Sequence, residues 1–349
     1  MRLRLGQTAI VEKRHTRRWP INILLFIALL LCMVWSMCVG KYPISPKESL
    51  LIIYNQIFGL SGPYEPIAVS VVMGLRLPRI LAAVIIGAAL SISGATYQGI
   101  FKNPLVSPDF LGVSAGACIG AAIAILLALS SVYIQLFAFL GGLLAVGITV
   151  TIPRLIRSDS NIILVLSGII VGGFMASIFG FIKYIADPET QLASIVYWQM
   201  GSLSYVKLSS ILGVLAPIIV SALVLLAMSW WIDIISLGEK EAQTLGANVR
   251  RILYIAILCS TLLTASSVCL AGTIGWIGLV IPHFARMMVG TENTKLLPAA
   301  ALVGAIFLLM VDTLGRTIGT AELPLSILTG IIGAPFYAWL LYKQRMKLQ

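Results

Sequence analysis

Ten apolar runs, at roughly 21–40, 80–101, 111–130, 132–152, 162–185, 209–232, 252–271, 274–289, 297–316 and 323–342, constrain this chain more than any other feature. About 20 apolar residues suffice to cross the hydrocarbon core of a bilayer as a helix, whose internal hydrogen bonds leave no backbone group facing lipid. The eighth run is short, and the breaks between runs are too brief for a separate water-soluble domain. Composition agrees: 59% of the 349 residues are hydrophobic and 11% charged, against about 25% charged in a soluble domain. The reading is an all-α polytopic membrane protein, with a basic tail over 1–20 and a single transmembrane domain over 21–345. The first run has the basic start and apolar core of a signal peptide. Its core is longer than an ordinary signal core and no clean small-residue cleavage site follows, so it reads as a retained helix.

Lysine and arginine set the orientation, because cytoplasmic loops carry their excess. With the N-terminus inside, seven of the 24 (Lys41, Lys47, Arg76, Arg79, Lys183, Lys207, Arg316) fall outside and the rest inside. The acidic residues divide almost evenly. The net charge of +11 is therefore mostly an orientation signal and requires no nucleic acid. Both termini are placed in the cytoplasm.

Glycine clusters inside the runs, as in "VIIGAALSISGATYQG" and "LGVSAGACIGAA". Small residues at three- and four-residue spacing let membrane helices approach closely, so the second and third runs are expected at the centre of the bundle. The five cysteines (Cys32, Cys38, Cys118, Cys259, Cys269) lie within apolar runs and form no C-x-x-C pair, which makes them small core residues rather than metal ligands. Asn-Pro and Ser-Pro in "FKNPLVSPDFLG" (101–112) end one helix and start the next, with Ser107 or Asp109 as a cap for the third. The stretch "ADPETQLASIVYWQMGSLSYVK" (186–207) is too polar and broken to span. Its middle, about 190–202, suits a short helix at the outer interface, where Tyr197 and Trp198 match the aromatic belt.

Catalysis finds little support. His15 lies in the basic tail, and His283 in "GLVIPHFAR" reads as a packed, hydrogen-bonded residue. No nucleophile–base pair or metal-ligand cluster assembles, and no G-x-x-x-x-G-K-[ST] occurs to cradle a nucleotide. The runs are also nearly free of the costly ionisable residues that couple transport to an ion gradient. Asp312 and Arg316 stand one helical turn apart, in register to pair; Lys183 and Asp233 lie near run ends. A pore energised by a partner fits this pattern. A gradient-driven secondary transporter and a structural or receptor-like membrane protein are the competing classes.

One polar stretch interrupts the oil on the cytoplasmic side. "SLGEKEAQTLGANVRR" (236–251) reads as two short helical turns separated by Gly246, with Ala242, Leu245 and Val249 on one side and Glu239, Glu241 and Gln243 outward. A helix standing off the membrane can fit a groove on a cytoplasmic ATPase. The residues alone leave open an ordinary solvated loop.

Four motifs now stand together: "RLPRILAAVIIGAALSISGATYQGIFKNPLVSPDFLGVSAGA" (76–117), "SLGEKEAQTLGANVRR", "LAGTIGWIGLVIPHFAR" (270–286) and "ELPLSILTGIIGAPFYAWLL" (322–341). In this order, over about 20–345, the chain resembles the FecCD family, the permease subunits of binding-protein-dependent ABC importers for iron-siderophores, haem and vitamin B12. The resemblance implies type II importer architecture, with ten helices per subunit in a prokaryotic cytoplasmic (inner) membrane. It implies a second permease subunit (the same chain or a close paralogue), two ABC ATPases that bind ATP and Mg, and a periplasmic or lipid-anchored substrate-binding protein. This chain would bind no cofactor or metal and would be no enzyme.

The resemblance also assigns residues. Arg76, Arg79 and Arg316 correspond to arginines that receive carboxylates of the binding protein; a bidentate guanidinium suits that task better than an ammonium. The coupling segment falls on about 236–249, with Leu237, Gly238, Glu239, Ala242, Leu245 and Gly246 meeting the ATPase. Asn103, Pro104 and Leu105 correspond to the cytoplasmic gate. The fifth and tenth helices and the short outer helix line the path, pointing to Phe174, Ser177, Tyr184, Trp198 and Met200. The implied cargo is a ferric siderophore on family frequency, with haem, vitamin B12 and even an oxyanion such as molybdate served by the same architecture.

Overall fold

A computed structural model describes residues 19–60, 62–157, 161–319 and 321–345. The basic tail, apart from its last two residues, lies outside the described residues. Fifteen α-helices follow in chain order among the described residues: α1 Trp19–Cys38, α2 Pro46–Ile57, α3 Pro66–Val69, α4 Leu77–Ile100, α5 Val113–Leu126, α6 Ser131–Leu155, α7 Asn161–Ile185, α8 Gln191–Met200, α9 Leu208–Ala227, α10 Ser229–Leu237, α11 Glu239–Thr244, α12 Val249–Ala271, α13 Ile277–Val289, α14 Asn293–Gly315 and α15 Leu325–Arg345. Each of the ten apolar runs falls on helix. Seven helical stretches are long and apolar enough to cross a membrane, and α5, α13 and α15 carry shorter apolar segments.

The helix built on α4 begins earlier than the sequence suggests. A π-helical turn, Ser70–Arg76, joins α3 to α4, so one apolar helix runs Pro66–Ile100. Pro78 lacks an N–H and its ring crowds the preceding turn. Widening that turn, with the Leu77 N–H reaching back to the Val72 carbonyl, keeps the helix continuous. Helix α2 has no counterpart among the apolar runs. Ser45 caps it by accepting from the Glu48 N–H at 3.2 Å, and Pro46 starts it.

Helix α4 is the axis of the bundle, with α12, α13 and α14 packed on it. Its Gly94 faces Gly278 of α13: a methyl there would lie 2.0 Å from the Gly278 carbonyl oxygen. Hydroxyls stitch α4 to α12, with Ser93 bonding the Ser260 carbonyl and the Thr264 hydroxyl at 3.0 Å and Tyr97 reaching Thr261 at 3.3 Å. The apolar core has two large clusters. One, around Tyr97, Ile100, Ile232 and Leu263, sits toward the C-terminal end of α4; the other, around Ile52, Ile80, Ile86 and Leu308, sits toward its N-terminal end. All five cysteines are free, three of them buried.

The segment after α4 folds back into the bundle. Pro108–Leu111 forms a 3₁₀ turn, and Gly112 (φ 82) starts α5 with no side-chain cap. Neither Ser107 nor Asp109 caps α5, contrary to expectation, because the 3₁₀ turn and left-handed Gly112 intervene. Asp109 instead accepts a hydrogen bond from the Ser114 hydroxyl.

Candidate functional site

Three features share the bundle: an arginine cluster at one end, a short exposed helix at the other, and a cleft between them. The three predicted arginines do converge, lining a cleft of about 250 Å³ with Gly40, Tyr42, Ser204 and Glu322. Each is also held within the chain. Arg79 places Nε 2.9 Å from both oxygens of Asp312 and Nη2 2.8 Å from Oδ1, while its Nη1 donates to Glu322 at 2.9 Å. Arg76, only 4% exposed, donates to the Met37 carbonyl at 2.6 Å and to the Tyr42 carbonyl. Arg316 donates to the Ser36 hydroxyl at 2.8 Å and to the Ser36 carbonyl, and its Nε is buried without a partner among the described residues.

The Asp312–Arg316 pair expected from helical spacing is corrected here: the carboxylate pairs with Arg79. Arg316 is the C-cap of α14, where its side chain turns to α1, whereas Arg79 comes from the helix packed on α14. Glu322 joins the cluster and also accepts from the Ser204 hydroxyl. Burial alone raises a carboxyl. Hydrogen bonds from Arg79 and Ser204 outweigh it and hold Glu322 below the usual carboxylate value.

At the other end, α10 stops at Leu237, Gly238 reverses the chain, and α11 stands as an isolated turn and a half. Ala242 is fully buried against Ile234, Ile235, Ala247 and Ile252. Gly246 (φ 82) then turns the chain to Asn248, whose side chain accepts from the Arg251 N–H at 3.0 Å and starts α12. A left-handed residue here favours glycine. Leu237 and Leu245 are 66% and 57% exposed. Leu245 therefore does not share the packed side with Ala242 and Val249; it lies just past the end of α11, where the helical register lapses. Beside this segment opens a cleft of about 760 Å³ lined by Lys102, Glu239, Gln243, Asn248, Arg250 and Tyr254, among others.

Asn103, Pro104 and Leu105 form an exposed turn between α4 and the 3₁₀ segment. The Asn103 side chain accepts from the Leu105 N–H at 2.9 Å, closing the turn on itself. His283 interacts with the Pro104 backbone and packs edge-on to Tyr337 at 5.9 Å between ring centres. It is a buried packing residue whose Nε2 has no hydrogen-bond partner.

Between the two ends, a cleft of about 330 Å³ is walled by α5, α7, α8, α15 and the 273–276 break. From α7 it takes Ala176 and Phe179, and from α8 Gln199. Phe174, Ser177 and Tyr184 lie on exposed faces of α7, Met200 is exposed at the end of α8, and Trp198 packs against α5 and its neighbours.

The family model described as FecCD transport family matches residues 28–343. The chain belongs to the FecCD transport family. Among related permeases, it is 36% identical over 319 residues to the molybdate import system permease MolB of Haemophilus influenzae, covering 91% of this chain and 94% of that one. It is 39% identical over 283 residues to the hemin transport system permease HmuU of Yersinia pestis, covering 78% and 83%. A solved structure described as an inward-facing "metal-chelate type ABC transporter" superposes with a TM-score of 0.84 at 35% identity, covering 93% of this chain and 99% of that one.

Some residues of these sites go unmarked in the sequence reading. Glu322 opens the "ELPL" motif, but nothing in the sequence pairs it with Arg79. Asp233, read as a run-end residue, accepts the Asn293 N–H at 2.8 Å and its side-chain amide at 2.7 Å. It thereby satisfies an orphan donor at the start of α14 and ties α10, which leads into α11, to the bundle.

Proposed function

We propose that this chain is the membrane-spanning permease subunit of an ABC importer for a metal chelate, a ferric siderophore foremost, with haem, vitamin B12 and molybdate as alternative cargoes. The observation that carries the reading is the FecCD match over 28–343. In this reading ten helices span a prokaryotic cytoplasmic membrane with both termini inside, and the chain pairs with a second copy or a close paralogue. Two ATPases grip the α10–α11 segment through Leu237, Glu239 and Leu245, with Gly238 and Gly246 as its turns and Ala242 as its anchor. ATP and Mg act on those partners, and this chain supplies no covalent chemistry.

A binding protein docks at the arginine end. Its carboxylates compete with Glu322 for Arg79 and offer the buried Arg316 Nε an acceptor; Arg76 holds the α1–α2 connection in place beneath them. Cargo then passes along the faces of α7, α8 and α15, toward Phe174, Ser177, Tyr184, Trp198 and Met200, and leaves past the Asn103–Leu105 turn.

The test is to tag the chain in its native membrane, solubilise gently and identify what co-purifies, then measure uptake with and without ATP. Co-purification of an ABC ATPase with ATP-dependent chelate uptake supports the reading. A chain recovered alone, with uptake driven by an ion gradient, overturns it in favour of a secondary transporter.

A further inference from the structure

The cleft between α5, α7, α8 and α15 contains a carboxylate that the local structure uses only in part. Asp109 lies in the 3₁₀ turn Pro108–Leu111, and its neighbour Pro108 packs against Gly278, which in turn meets the middle of α4 at Leu90 and Gly94. The turn is therefore packed against the α4–α13 crossing. Its backbone is fixed: Thr149 donates to the Leu111 carbonyl at 3.0 Å, and the Phe110 carbonyl abuts Gly168. Asp109 is exposed and lines the cleft. One of its oxygens accepts from Ser114; a carboxylate has about four acceptor sites, so capacity remains for something in the cleft.

The other polar groups of the wall are mostly committed. Thr273 donates to the Gln199 carbonyl at 2.5 Å, and Ser326 donates to the Thr273 carbonyl at 2.5 Å. Trp276 shares the same wall with a backbone φ of 72. A bulky residue in that region is strained, and such strain collects at functional sites. The Trp276 ring itself packs against Gly330 and Gly333 of α15, which leaves Asp109 as the acidic group of the cleft lining. A carboxylate with spare acceptor sites attracts cations and N–H or O–H donors.

We propose that Asp109 is a charge-selecting contact for the cargo, favouring chelates that turn an ammonium, N–H or O–H group toward the cleft and disfavouring anionic cargo. This rests on the importer reading and narrows its substrate class. Neutral or cationic metal chelates fit; oxyanions and polycarboxylate complexes do not. An anion would meet acceptor oxygens that offer it no hydrogen-bond donor and that repel it when Asp109 is ionised.

The experiment is equilibrium dialysis of the full chain, purified with its co-isolated partners in lipid nanodiscs. The radiolabelled probes are a cationic ferric trishydroxamate (ferrioxamine B), ferric citrate and molybdate. The parent should retain the cationic chelate best. Asp109→Asn should weaken that binding about tenfold, the size of one charge-assisted hydrogen bond, and narrow or reverse the preference over the anions. Asp109→Glu should restore the parent order, and equal thermal melting of the three proteins excludes misfolding. Equal preference in Asp109→Asn and parent, a parent that favours an anion, or retention of no probe overturns the inference. Failure of the importer reading is separate: it appears as uptake that continues when the ATPase is removed.

Discussion

Arg79 of α4 clasps Asp312 of α14 with Nε 2.9 Å from both carboxylate oxygens, across 233 residues of sequence. Asp312 is fully buried and Arg79 is 13% exposed, so the carboxylate has Arg79 rather than water as its partner. Removing one member of a buried pair costs stability, whereas replacing both with apolar groups is often tolerated. When Asp312 is neutralised, Arg79 keeps its bond to Glu322. The clasp also fixes the helix that carries the π-helical turn against the helix that leads to Arg316, and so positions the whole arginine cluster.

Asp312→Asn should therefore destabilise the protein by about 1.5–3 kcal/mol, the size of a lost charge-assisted hydrogen bond, read as a drop in melting temperature in detergent. The double substitution Arg79→Met with Asp312→Leu should recover much of that loss. Equal melting of Asp312→Asn and the parent would show that the pair contributes nothing to the fold.

Glu322 gives this cluster a pH dependence. Although burial opposes ionisation, Arg79 and Ser204 hold its folded pKa below the ordinary value of about 4.5. A depressed carboxyl stabilises the fold above its unfolded pKa and loses that contribution as pH falls through the folded pKa. The melting difference between parent and Glu322→Gln should be constant above about pH 5 and shrink toward zero below about pH 4. A difference that grows on acidification would mean that the folded pKa is raised instead.

The helix crossing at the centre can be tested by one methyl group. In Gly94→Ala the new carbon would lie 2.0 Å from the Gly278 carbonyl oxygen and 2.6 Å from its carbonyl carbon. Both are backbone atoms, so no side chain can turn aside and α4 and α13 must separate. Overpacking of this kind costs about 1–3 kcal/mol. Gly172→Ala, where a methyl meets nothing within 4 Å, serves as the control and should melt within a few degrees of the parent.

Much of the helical architecture is legible in the sequence because lipid demands continuous apolar helix, and such runs carry their own signal. Helix α2 escapes that test: its Ser45-Pro46-Lys47-Glu48 start is a readable capping box, but the helix is short and only half apolar. The extension of the α4 helix to Pro66 is hidden by Gly74 and Pro78, which read as a break until the π-helical turn absorbs them. At the sites, residue types are legible and partners are not. Arg76, Arg79 and Arg316 line one cleft, which nothing in the sequence announces, and the choice of Arg79 over Arg316 for Asp312 depends on which faces of α4 and α14 meet. Asp109 reads as a cap because a Pro-Asp before a helix usually is one; only the fold-back of 108–112 turns it toward the cleft. For the same reason Leu245, placed by helical spacing beside Ala242, ends up exposed once α11 stops at Thr244.

That exposure separates two roles in the segment proposed to couple to the ATPase. Ala242 is the fully buried residue of α11, while Leu245 and Leu237 present apolar surface largely uncovered by the described residues. Leu245→Asp should leave melting unchanged, because an exposed side chain contributes little to the fold. It should lower ATP-driven transport by about tenfold or more if Leu245 seats in an ATPase groove, as a buried interface anchor does, and should reduce the amount of ATPase that co-purifies. Ala242→Leu should do the reverse in origin: the added bulk lifts α11 from Ile234 and Ile252, so melting and transport fall together. A Leu245→Asp protein that keeps both its ATPase and its transport would remove Leu245 from the interface, and the remaining exposed anchor of the segment, Leu237, would then have to carry the contact alone.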